Sequence, residues 1–107
     1  MKRGSVWWVE FDPSVGSEIN KTRPAIIVSN DIANQHLARV VVVPLTSNVS
    51  RVYPGEALVT VNNKKSKAMS DQIMSADKSR LKEKIDVLSD TDMVSVENAI
   101  KSFLELQ

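Results

Sequence analysis

The chain has no cysteine, which removes disulfides and thiolate metal sites from consideration. Histidine occurs once, at His36, in a stretch that reads as a surface turn. With no second histidine or cysteine to join it, a metal centre is not expected. Only three glycines are present, and none sits in a G-x-x-x-x-G-K-[ST], G-x-G-x-x-G or G-x-S-x-G pattern. H-E-x-x-H is absent too. No apolar run approaches the roughly 20 residues of a membrane span. The start, Met1-Lys2-Arg3-Gly4-Ser5, is basic but leads into no apolar segment, so a signal peptide is not expected and a cytoplasmic location is. Net charge is +1, too small to point to a partner.

What is present is the composition of an ordinary globular domain, 42% hydrophobic and 25% charged over 107 residues. One domain spanning residues 1–107 is expected. Basic residues concentrate between Lys64 and Lys84, and acidic ones follow from Asp86 onward. The basic stretch is either a polyanion-binding surface or a solvated face balanced by an acidic C-terminal helix.

Val6–Phe11, β-branched and aromatic, reads as a strand ended by Asp12-Pro13. It sends Trp7 and Trp8 to opposite faces, one to the core and the other to solvent or a subunit interface. Asp12–Arg23 reads as a loop, long enough to be functional. Pro24 biases Arg23 toward an extended backbone at the mouth of a strand, Ala25–Ser29. Asn30-Asp31 caps a short helical turn over Ile32–Leu37. Arg39–Ser47, with four consecutive valines, is a strand buried on both faces that must bend or meet an edge at Pro44. Tyr53-Pro54-Gly55 is a turn, Glu56–Val61 a strand, and Asn62-Asn63 a hairpin turn. The returning strand is placed at Ala68–Ser75, which leaves Asp71 and Gln72 as unusual polar residues in a half-apolar segment. A helical turn over Asp77–Leu81, a strand at Ile85–Leu88 and a helix from Asp90 to Leu106, preceded by Ser89 and Asp92 at a loose capping-box spacing, complete the chain. Met93, Val96, Ile100, Phe103 and Leu104 form that helix's apolar face. Short strands in a small chain favour an α+β, mainly β architecture, a partly closed barrel or curled sheet.

The polar residues that remain form one constellation: Glu18, Lys21 and Arg23, then Thr46 and Ser47, then Asp71 and Gln72. A guanidinium binds two phosphate oxygens at once and stays charged at any working pH. A threonine hydroxyl adds a further hydrogen bond. Such a pair suits charge developing during phosphoryl transfer. Spacing alone equally allows Arg23 to pair with Glu18 as a loop-fixing salt bridge.

Arg3-Gly4-Ser5-Val6-Trp7, Asp12-Pro13 through Gly16-Ser17-Glu18-x-x-Lys21-x-Arg23-Pro24, Val43-Pro44-Leu45-Thr46-Ser47, and Asp71-Gln72 before Ser79-Arg80-Leu81 together resemble the MazF/PemK family of toxin ribonucleases. The likeness runs through nearly the whole chain in order. Ser5 departs from it, standing where the family usually has an acidic residue. The resemblance implies an SH3-like (PemK/CcdB-type) barrel acting as a homodimer. It also implies sequence-specific, metal-independent cleavage of single-stranded RNA with no cofactor, by attack of the ribose 2′-hydroxyl on the adjacent phosphate. A MazE-like acidic antitoxin would be the partner. Arg23 and Thr46 match the catalytic pair and Glu18 an acid beside them. Lys21 and Ser47 belong to the matching motifs, and Asp71 and Gln72 match a polar pair near the RNA.

An arginine with a pKa above about 12 is a poor general base, so Arg23 fits an electrostatic clamp and a proton donor to the leaving oxygen. Glu18 and water are the two candidates for the base. A two-histidine ribonuclease mechanism is excluded by the histidine count. The alternative on the same fold is a non-enzymatic CcdB-like toxin that binds a protein such as gyrase. That function goes with a Trp-Gly-Ile end, whereas this sequence finishes Phe103-Leu104-Glu105-Leu106-Gln107.

Overall fold

The structure, a computed structural model, describes residues 1–11 and 21–107. Seven strands are present in this part of the chain: β1 (Ser5–Phe11), β2 (Lys21–Ile27), β3 (Arg39–Thr46), β4 (Glu56–Val61), β5 (Lys64–Met69), β6 (Met74–Asp77) and β7 (Leu81–Val87). Helix α1 (Asp31–His36) follows β2, and α2 (Asp90–Leu104) follows β7. Two 3-10 turns, Ser70–Gln72 and Lys78–Arg80, flank β6. The sheet runs β4-β5-β3-β2-β1-β7, with β6 also paired to β3, and the pairings are antiparallel.

Both faces of the central strands are apolar because alternate residues enter different clusters. Val6, Ile26, Val43 and Leu45 pack with Val59 and with Met93, Val96 and Ala99 of α2. Val9, Ala25, Ile27, Val40 and Val42 pack with Ala76 and Leu81 on the other side, flanked by Trp7 and Phe11. This explains the unbroken valine run: neighbours Val42 and Val43 are both fully buried, in opposite clusters. Each such side chain contributes on the order of 1.5–3 kcal/mol of burial.

The bend expected at Pro44 is a change of partner. On one side β3 pairs with β2 from Val42 to Pro44. On its other side it pairs with β6 over Arg39–Val42 and then with β5 at Leu45 and Thr46. Pro44 stands between the two ladders, where a missing donor is tolerated.

Among the described residues the sheet curls without closing through a strand ladder. Its free β4 edge is instead met by carboxylates. Asp92 Oδ2 accepts the Thr60 N–H at 2.9 Å and Asp86 Oδ2 accepts the Asn62 N–H at 2.8 Å. These backbone bonds from Asn62 and then Val87 hold the Asp86 carboxyl below the usual aspartate range. The helix starts are as the sequence implies: Asn30 accepts the Ala33 N–H at 2.8 Å, and Ser89 Oγ accepts the Asp92 N–H at 3.1 Å.

Several boundaries differ from the sequence reading. Arg23 and Pro24 lie inside β2, with Arg23 opposite Val9 and Pro24 opposite Trp8, rather than at the end of a loop. The β2–β3 ladder starts only at Ala25, so Pro24 forfeits no bond to β3. The strand ends at Ile27, before Ser29. The returning strand is Lys64–Met69, because Asn62 (φ 49°) and Asn63 (φ 63°) make a two-residue turn that pairs Val61 directly with Lys64. Asp71 and Gln72 consequently fall in a 3-10 turn, not a strand. The final strand begins at Leu81, four residues before Ile85, and α2 ends at Leu104, leaving Phe103 and Leu104 exposed.

Candidate active site

Strand pairing brings three members of the polar constellation together, Arg23 with Thr46 and Ser47. Since β2 and β3 are neighbours, the chain just before Ala25 and the chain just after Pro44 emerge at the same end of their ladder. Arg23 and Thr46 there line one cavity of about 370 Å³ with Trp8, Pro24, Leu45, Ser47 and Ser66. Arg23 and Thr46 are partly buried, and Ser47 is exposed. The Thr46 Oγ1 accepts the Asn48 N–H at 3.3 Å, which leaves its own proton available for donation into the cavity.

The cavity combines a permanent cation, hydroxyls and one large indole. Trp8 is 39% exposed, so part of its ring is open to a ligand. Trp7, on the opposite face, is tied down instead: its Nε1–H donates to Ser5 Oγ at 3.0 Å. Ser5 is buried and donates in turn to the Lys2 carbonyl. The hydroxyl at this position therefore completes a neutral hydrogen-bonded chain where the resemblance leads one to expect an acid.

The remaining expected site residues are distributed differently. Glu18 lies outside the described residues, as does the side chain of Lys21. Asp71 and Gln72 are exposed on the 3-10 turn after β5 and do not line this cavity; Gln72 Nε2 contacts Met69 Sδ at 3.4 Å. Ser66 was not foreseen as a lining residue. The Asn-Asn turn carried the signal for it, since counting back from Val61↔Lys64 sets Ser66 opposite Val59 on the strand beside Thr46.

Comparison with known proteins places the whole chain in one family. Residues 2–104 match the family described as PemK-like, MazF-like toxin of type II toxin-antitoxin system. The chain is 38% identical to an endoribonuclease MazF9 of Mycobacterium tuberculosis, over 99% of this chain and 98% of that protein. It is 35% identical to an endoribonuclease MazF of Staphylococcus saprophyticus, over 99% and 92% respectively. A solved mycobacterial endoribonuclease in complex with its cognate antitoxin superimposes with a TM-score of 0.82 at 25% identity, covering 100% of this chain and 97% of that one. The chain belongs to the PemK-like, MazF-like toxins of type II toxin–antitoxin systems.

Proposed function

We propose that this toxin is a sequence-specific endoribonuclease that cleaves single-stranded RNA without a metal ion. The observation that carries the reading is the convergence of Arg23 and Thr46, far apart in sequence and on different strands, on one cavity beside an open indole face.

The nucleophile is the substrate's own 2′-hydroxyl, so no metal-bound hydroxide is needed. Its oxygen forms a bond to the adjacent phosphorus while the bond from phosphorus to the 5′ oxygen breaks. The 2′ proton goes to Glu18 or to water, and the leaving 5′ oxygen takes a proton. The products are a 2′,3′-cyclic phosphate and a 5′-hydroxyl. Arg23 clamps the phosphate oxygens as negative charge accumulates on them, and donates or relays the proton to the leaving group. Thr46 Oγ adds a hydrogen bond to the same group. Trp8 provides a face for an unstacked base. DNA, lacking the 2′-hydroxyl, is not cut.

The toxin works as a homodimer in the cytoplasm, held inactive by a MazE-like acidic antitoxin whose tail occupies the RNA groove. Among the described residues no helix is long and apolar enough to cross a membrane.

The test is incubation of the purified protein with a long RNA in excess EDTA, followed by mapping of every new end. The expected result is cutting at a short recurrent sequence with cyclic-phosphate and 5′-hydroxyl ends. Loss of all cutting under chelation, or full activity in both Arg23→Ala and Thr46→Ala, would overturn the mechanism. Glu18→Gln distinguishes the two proton acceptors, since an unchanged rate assigns the step to water.

A further inference from the structure

The connection between β3 and β4, residues 47–55, leaves the cavity directly after Thr46. It is gripped from beneath by a buried ion pair. Lys67 Nζ lies 3.3 Å from Glu56 Oε1, with side chains only 11% and 12% exposed. The same ammonium donates to the Arg51 carbonyl at 3.0 Å and stands 5.9 Å from the centroid of the Tyr53 ring. Glu56 Oε1 also accepts the Tyr53 N–H at 2.7 Å. One buried pair therefore holds the backbone at residues 51 and 53 and sets a cation over one face of an aromatic ring.

Lys67 is also the register partner of Thr46 across the β3–β5 ladder. The pair thus ties the connection to the strand position that enters the cavity. Gly55 closes the connection in a left-handed conformation (φ 87°) under Phe103, where an added Cβ would stand 3.1 Å from the ring. The connection is held at residues 51, 53 and 55, yet Tyr53 remains 53% exposed. A buried ion pair contributes little net stability against an apolar replacement, so its value here is in geometry.

We propose that Lys67, paired with Glu56, is a positioning residue that presents the outer face of Tyr53 as a stacking platform for a base of single-stranded RNA flanking the cleaved bond. This inference rests on the endoribonuclease reading above. Lys67 acts through Tyr53 and touches no substrate. A stacked base is lost with the ring, so the contribution enters substrate binding rather than the bond-making step.

The experiment measures KM and kcat on a short RNA spanning a mapped cut site, for Tyr53→Leu, Lys67→Met and the double variant. Hydrogen exchange at the Tyr53 amide is followed in parallel. Tyr53→Leu should raise KM about tenfold with kcat kept, the size expected for one stacked base. Lys67→Met should raise KM comparably and speed exchange at Tyr53. The double variant should be no worse than Tyr53→Leu alone, because the two changes remove one effect. Lys67→Gln, which keeps a donor for the Arg51 carbonyl, replaces Lys67→Met should the latter not fold. An unchanged KM in Tyr53→Leu overturns the proposal whatever Lys67 variants do. So do additive effects, or a loss confined to kcat. If the parent protein cuts no RNA, the endoribonuclease reading itself falls, which is a different result from a parent that cuts and variants that match it.

Discussion

The two halves of β3 differ in their partners and in their roles. From Val40 to Val43 the strand is flanked by β2 and β6, and its side chains feed both apolar clusters. From Leu45 to Thr46 it is flanked by β5 and opens on the cavity. Pro44, which cannot donate to a ladder, sits at the changeover. One strand thus carries the centre of the core and a wall of the candidate site, with three residues between Val42 and Thr46. The core half supplies rigidity, and the site half borrows it. This is how a chain of 107 residues holds an arginine and a threonine in fixed relation without a disulfide.

Substitutions should separate the halves. The largest effect is expected from Arg23→Ala, opposite the site half: a fall of about 10²–10³ in kcat, the range for losing one preorganised donor at a developing oxyanion. Its thermal midpoint should match the parent, and a large drop in melting temperature would show that Arg23 belongs to the scaffold. Next is Val42→Ala in the core half, costing about 2 kcal/mol from lost burial and the cavity left behind. Urea unfolding measures this, and kcat per folded molecule should stay unchanged; a matching loss of kcat would erase the distinction between the halves. Thr46→Ala should lower kcat about tenfold, equivalent to about 1.4 kcal/mol of transition-state binding, with stability preserved.

The smallest effect concerns the sheet edge. The Asp86 carboxyl is depressed in the folded state by the N–H groups of Asn62 and Val87. Its stabilisation is therefore present above the unfolded value of about 3.9 and is lost as pH falls through the lower folded value. Melting temperature should drop below about pH 4, and drop less steeply in Asp86→Ala. Parallel acid limbs for the two proteins would remove Asp86 as a contributor.

These outcomes also bear on what the sequence could reveal. The valine run, the Ser89 and Asn30 caps and the strand Glu56–Val61 were legible because each has a strong local cause: uniform burial, a hydroxyl or amide at the right offset, and alternation ended by Asn-Asn. Strand β5 was misplaced because Lys64-Lys65-Ser66-Lys67 is hydrophilic. Only the turn geometry, with both asparagines at positive φ, determines where it begins. Strand β7 was cut short for a similar reason: Lys82, Glu83 and Lys84 are exposed, so no alternation marks them. Of the site, Arg23 and Thr46 were legible as chemistry, and pairing of β2 with β3 supplies their proximity. The sequence sets Pro24 at the mouth of a strand, whereas it sits inside β2, where the ladder to β3 has not yet begun. The burial of Lys67 had no signal at all, since a lysine among lysines looks solvated until Glu56 is placed against it.

The carboxylates on the β4 edge have a consequence for folding order. An unpaired strand edge is a template on which another chain can add. The outward N–H of Thr60 in β4 and the N–H of Asn62 just past the strand's end are occupied by Asp92 and Asp86. Those aspartates lie more than twenty residues further along the chain. Until β7 and the first turn of α2 have docked, the β4–β5 hairpin presents an open hydrogen-bonding margin. The last part of the sequence therefore does more than cover apolar surface: it ends the interval in which one partly folded copy can add its edge to that of another.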